Sequence, residues 1–196
     1  MVQNNQLVWD MLLADIKNEY GVAGIMGNLQ AESCIRSNNL QNTGNNALGL
    51  TDEEYTLQID TGNRDFIDNR GYGIAQWTSS NRKKRLLEYV KNKNKSIGDL
   101  ESQVEFLLIE MKSYYPSVYK SVVEAKSVKE ASDVVLIKYE APASKNNINT
   151  QISRANKGEE FYKEFHRMVN HTDTVVVETI VRKNGVEVER RVINVP

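Results

Sequence analysis

The spacing of apolar residues changes once along this chain, near residue 173, and that change limits the folds open to it. Upstream, apolar side chains return every three or four residues, the period of a helix with one buried face. Val8, Trp9, Leu12, Leu13 and Ile16 mark a first helix, which the sequence closes at Gly21. A second runs from about residue 22, with Val22, Ile25, Met26 and Leu29 on one face, and stops near Cys34. Leu86, Leu87 and Val90 mark another; Leu100, Val104, Leu107, Leu108 and Met111 mark a longer one. Pro116 suits the first turn of the next, which carries Val118, Val122 and Val123. Val128, Ala131, Val135 and Tyr139 trace a helix that Pro142 ends, and Phe161, Phe165 and Met168 trace the last. Downstream the period is two. The β-branched runs of TVVVETIVRKNGVEVERRVINVP flank Asn184-Gly185, a type I′ hairpin signal. Centring the turn there pairs Val181 with Val188, Val177 with Val192 and Glu178 with Arg191.

The expected fold is therefore mainly α, in the α+β sense: a helical domain over 1–170 and a β-hairpin extension over 171–196. Between the helices, residues 38–73 form a small irregular lobe. Its Asn38, Asn39, Asn42, Asn45 and Asn46 favour turns, because such side chains bond their own main chain and tolerate left-handed backbone. One short helix is expected inside it, opened by the capping-box spacing of Thr51 and Glu54.

Composition removes several kinds of chemistry. Lys and Arg total 25 against 26 Asp and Glu, a net charge of −1, so no bulk basic field attracts nucleic acid. No apolar run reaches the roughly 18 residues that a membrane-spanning helix needs. The single cysteine, Cys34, forms no disulfide within the chain, and His166 and His171 are too few for a three-histidine metal centre. No metal and no cofactor is expected. The N-terminus lacks the basic and apolar regions of a secretory signal, so action outside a cytoplasm implies delivery by other machinery or excision from a longer protein. The Arg82–Arg85 run, RKKR, reads as a solvated face at a helix start. Cys34 has no accompanying cysteine–histidine motif, which argues against a thiol nucleophile.

Two segments carry chemistry. Glu32, in GNLQAES, lies on the apolar stripe of the second helix, where desolvation disfavours the charged carboxylate and raises its pKa. A carboxylic acid of that kind suits protonation of a glycosidic oxygen. GYGIAQWT, residues 71–78, offers close backbone approach at Gly71 and Gly73, aromatic faces at Tyr72 and Trp77, and a donor–acceptor fork at Gln76.

QAES followed by GYGIAQWT, with LGLTDEEY between them, resembles the phage tail-type lysozymes of the lysozyme-like superfamily. More distantly, the Glu-Ser pair and the Gly-x-Gly-x-x-Gln element are similar to goose-type lysozymes and soluble lytic transglycosylases. The resemblance runs from Trp9 to about Met168, through GDLESQVEFLLIEM and the Tyr139-Glu140-x-Pro142 segment. It implies a lysozyme-like helical domain in which Glu32 is the general acid, with Tyr72, Gln76, Trp77 and Tyr139 along the saccharide groove. It also implies a second carboxylate that positions water, for which Asp68 in DNRGYG is the first candidate and Asp65 the next. Thr78 stands where similar enzymes carry another acid, which leaves water activation open. Asp52, Glu53, Glu54 and Asp60 have capping and turn roles that explain them.

The implied activity is a muramidase cutting the β-1,4 bond between N-acetylmuramic acid and N-acetylglucosamine in bacterial peptidoglycan. Two alternatives stand beside it: a lytic transglycosylase that closes an anhydro ring, and a non-catalytic wall-binding module of a phage tail. The hairpin, with both edges open, suits self-association or docking within a larger chain.

Overall fold

The helix that carries Glu32 is covered on every side from Gly21 to Leu29. A computed structural model describes residues 2–170, 175–183 and 186–195, with side chains described for 4–44 and 47–166. In it, α1 (Val2–Ile16) leads to α2 (Glu19–Ser33), whose residues from Gly21 to Leu29 are all buried. The sequence assigned one apolar face to α2 and a helix stop to Gly21; both expectations are corrected. The stop is Lys17, in left-handed backbone at φ 56°, and Asn18 then caps α2 by accepting bonds from the Tyr20 and Gly21 amides. The same Asn18 side chain donates to the carbonyls of Val123 and Ala125 at 2.8 and 2.9 Å, tying the start of α2 to the end of the helix that Pro116 opens.

Gly21 is a contact residue. With Gly24 and Gly27 it forms a row along α2 at which an added Cβ would collide with the backbone of Val122, Ser132 and Arg154 respectively. Only the missing side chains let α7 (Pro116–Glu124), α8 (Val128–Val135) and α9 (Ile148–Asn170) approach this closely. Val8, Trp9, Leu12, Val22, Ile25 and Met26 fill the core beside that row, each fully buried. Burying one such side chain is worth about 1.5–3 kcal/mol.

The lobe holds two short helices, α3 (Asn42–Leu48) and α4 (Asp52–Asp60), where one was expected. The capping box is present at α4: the Glu54 amide donates to Thr51 Oγ1 at 3.1 Å, and the Thr51 amide donates to Glu54 Oε2 at 2.8 Å. Tyr72 and Trp77 exchange backbone hydrogen bonds, closing GYGIAQWT into a loop with Gly73 at φ 78° and Gln76 at φ 45°. Beyond it, α5 (Ser80–Asn92) and α6 (Leu100–Tyr114) lead to α7 and α8.

The α8 helix does not stop where its pattern ends. It widens into a π-helical turn over Leu136–Glu140, and the Ala141 amide reaches back to the Leu136 carbonyl at 2.9 Å. The described residues are mainly helical, as their spacing predicts, and no helix among them is long and apolar enough to cross a membrane. The chain divides into two units, residues 1–163 and 164–196. The expected hairpin tip, Asn184-Gly185, and residues 171–174 lie outside the described residues.

Candidate active site

Glu32 occupies the last turn of α2, and the chain beyond it is bent twice. Cys34 and Ile35 both take left-handed backbone, at φ 54° and 56°, a conformation that non-glycine residues adopt only when their surroundings impose it. Cys34 caps the helix, its amide bonded to the Gln30 carbonyl at 3.1 Å. Ser33 secures the bend, donating to the Ile74 carbonyl at 2.8 Å and so joining α2 to GYGIAQWT. The two sequence segments singled out for chemistry are thus held together by the serine next to Glu32.

A cavity of about 440 Å³ opens at this junction. Glu32 forms one wall; Gln41, Gly71 and Gln76 form the lobe side. Thr78, Ser79 and Arg82 enter from the start of α5, and Glu140 and Pro142 from the segment after α8. Gln76 is fixed by its own amide, which donates to the carbonyls of Asn39 and Gly73 at 3.0 and 3.1 Å.

Glu32 is anchored from below by an ion pair that sequence reading did not find. Arg154 Nη2 of α9 donates to Glu32 Oε1 at 2.5 Å, and its Nη1 reaches Asn28 Oδ1 at 3.3 Å. Asn28, fully buried, donates in turn to the carbonyls of Gly24 and Ser132 at 2.9 and 3.1 Å. The close approach allowed at Gly27 is what brings Arg154 within reach.

Behind the cavity lies a second polar centre around Glu110 of α6, which is fully buried. It accepts from Trp77 Nε1 at 3.0 Å, Tyr139 hydroxyl at 2.7 Å, Arg82 Nη2 at 2.8 Å and Arg85 Nη2 at 3.2 Å. Burial pushes the Glu110 carboxyl up, but these donors, Arg82 first, outweigh it and hold it below the usual carboxylate range. Arg82 also lies over the Tyr139 ring, 4.5 Å from its centroid. A carboxylate on the apolar stripe of α6 was the sequence signal for this centre.

The structure brings together only some of the expected site residues. Glu32 and Gln76 line one cavity. Trp77 and Tyr139 are buried behind it on Glu110, and Tyr72 is buried in the lobe between Tyr55 and Phe66, its hydroxyl 2.6 Å from Thr56 Oγ1. Asp68 lines a different cavity, which shares Gln41 with the first. It pairs with Lys83, whose side chain is fully buried, and accepts from the Tyr55 hydroxyl at 2.9 Å and the Arg70 amide at 3.0 Å. Burial raises the Asp68 carboxyl, and the bonds from Lys83 and Arg70 more than reverse that. Asp65 caps the Ile67 amide at 2.8 Å, and Asp60 the Ile97 amide at 2.9 Å. The RKKR run is no solvated face: Arg82 and Lys83 turn inward to Glu110 and Asp68, and of the four only Lys84 is exposed.

Glu140 is the residue that sequence reading passed over. Burial, and then the nearby negative charge of Glu32, push its carboxyl up to about 8, against the pull of Arg82 and Arg154. Its Oε1 is buried without a hydrogen-bond partner among the described residues. Those residues hold no cluster of histidine, cysteine and carboxylate side chains able to bind a metal ion.

No curated protein matches the chain. Over residues 3–165 it matches the phage tail lysozymes, a span that takes in Glu32, the GYGIAQWT loop, Glu140 and Arg154. The chain belongs to the phage tail lysozyme family.

Proposed function

We infer that the chain, as a member of this family, is a cell-wall-lytic enzyme. We propose that this one is a muramidase, cleaving the bond between N-acetylmuramic acid and N-acetylglucosamine with Glu32 as general acid. The observation that carries the reading is the placement of Glu32: a carboxyl group fixed by Arg154 in the wall of a polar cleft, facing the loop that bears Gln76. A glycosidic oxygen seated there takes a proton from Glu32 as its bond to C1 breaks through an oxocarbenium-like state. The adjoining cavity that shares Gln41 gives the glycan room to continue.

Asp68 supports the alternative. Its carboxylate is committed to Lys83, Tyr55 and Arg70 and lines the other cavity, so it is poorly placed to activate water beside Glu32. Closure by the muramyl 6-hydroxyl, as in a lytic transglycosylase, needs no such water. Mass spectrometry of a peptidoglycan digest separates the two, since anhydro ends are lighter by one water. Zymography tests the enzyme against a wall-binding tail module. The native protein is expected to clear peptidoglycan, and Glu32→Gln to reduce clearing about 10²–10⁴-fold. Binding without clearing by the native protein would make it a module.

For residues 171–196 the hairpin reading is kept as a proposal. The segments Val175–Lys183 and Val186–Val195 support it, pairing antiparallel. Val181 stands opposite Glu189 and Glu178 opposite Val192, with an irregularity between Val181 and Arg182. Next to the turn, Lys183 with Val186 and Arg182 with Glu187 keep the pairing centred on Asn184-Gly185, and beyond the irregularity the pairing is shifted by one.

A further inference from the structure

We propose that Glu140, brought into the Glu32 cavity by the π-helical turn, is a second catalytic residue that holds the proton used in the cut. The proposal rests on the muramidase reading of that cavity.

Its first support is placement. A regular continuation of α8 would rotate residue 140 differently; the extra residue of the π-turn sets it in the wall that Glu32 also forms. The turn ends at Ala141, held in left-handed backbone at φ 47° directly before Pro142. Such backbone persists only where the surrounding structure enforces it, and π-turns gather at functional sites.

The second support is the pairing of the charges around it. The charges that act most strongly on Glu140 are those of Glu32 from α2, Arg82 from α5, Arg154 from α9 and Glu110 from α6. Arg154 is taken by Glu32 at 2.5 Å and Arg82 by Glu110 at 2.8 Å. Among the described residues Glu140 has no ion pair of its own, and one of its oxygens is buried without a donor. A charge on that group is poorly compensated, whereas a neutral carboxyl costs far less. Glu140 is therefore the carboxyl of the pair that stays protonated at neutral pH, in keeping with a value pushed up to about 8.

The proton balance then closes without a cofactor. Glu140 starts protonated and Glu32 charged. The proton passes to Glu32 and on to the glycosidic oxygen as the C1–O bond breaks, which leaves both carboxylates charged. Glu140 recovers a proton from the water that bonds to C1, or from the muramyl 6-hydroxyl if the ring closes. One proton is delivered and one is returned.

Rates on soluble peptidoglycan fragments across pH test this. Because activity needs the proton on the pair, the native alkaline limb falls as pH rises through about 8. Glu140→Gln is expected to lower kcat about 100-fold at neutral pH and leave KM within about threefold. It is also expected to move the alkaline limb at least about one unit to lower pH. Glu140→Asp should restore part of kcat. Carboxyl NMR titration of the inactive Glu32→Gln protein gives a readout apart from turnover: with the Glu32 charge gone, Glu140 should titrate at lower pH than in the native protein. Native kcat and an unmoved alkaline limb in Glu140→Gln overturn the proposal and leave the muramidase reading standing, as does a Glu140 titration indifferent to Glu32. Full activity in Glu32→Gln brings down that reading and this proposal with it.

Discussion

Asp68 and Lys83 set the terms at the scale of single residues. The Lys83 ammonium is fully buried, and its charge is balanced by Asp68. Asp68→Asn leaves that ammonium without its counter-charge, and removing one partner of a buried pair costs about 3–5 kcal/mol. Urea unfolding should show a loss of that order. The sequence points to Asp68 for water positioning; its pairing with Lys83 gives the same substitution a cost in stability. The pH dependence of folding follows from two opposite shifts. Glu140 is raised in the folded chain, so its contribution is complete below the ordinary glutamate range and is lost as pH climbs through about 8. Asp68 and Glu110 are lowered, so theirs is present above that range and disappears as pH falls through their folded values. Thermal melts should weaken from about pH 5 toward 9 in the native protein and stay flatter there in Glu140→Gln. Glu32 and Gln76 were legible because their motifs keep their order and spacing. Glu140 was not, since a helical period counts turns of 3.6 residues and gives no sign of one extra residue in the ladder.

Among the elements, the glycine row of α2 governs how the site is assembled. Gly27 allows the backbone of α9 at Arg154 and Gly158 to lie against α2, and Arg154 reaches Glu32 from there. Gly27→Ala drives a methyl group into backbone, which cannot yield as a flexible side chain can. It should cost about 1–3 kcal/mol and reduce turnover as Arg154 withdraws. A thermal melt and a rate measurement read both effects. Sequence reading saw Gly21 as punctuation because glycine usually ends helices; that it was a contact depended on α7, far along the chain. The capping box of α4 was legible, being a local exchange of two hydrogen bonds. The α3 helix was not, because asparagines that favour turns are carried here as a helix within the lobe.

At the scale of the whole molecule, the helical domain was legible from periodicity, and the match to phage tail lysozymes over residues 3–165 spans most of it. Every proposed site residue lies upstream of residue 164, in the first of the two units. Deletion after His171 is therefore expected to leave cleavage of soluble wall fragments within about twofold, in keeping with substitutions remote from the chemistry. A truncated protein that is folded yet inactive would show that the extension belongs to the lysozyme domain. The burial of α2 on all sides carries one more consequence. From Val22 to Leu29 its residues are helical and buried, their amides bonded to the preceding turn. Such amides trade hydrogen for deuterium only when the whole core opens, whereas exposed loops exchange through local fluctuations. The helix bearing Glu32 should thus be among the last to take up deuterium, and the exposed turns of the irregular lobe among the first. The proposed acid would then stand on the slowest-opening part of the molecule, across a cleft from a lobe that opens locally.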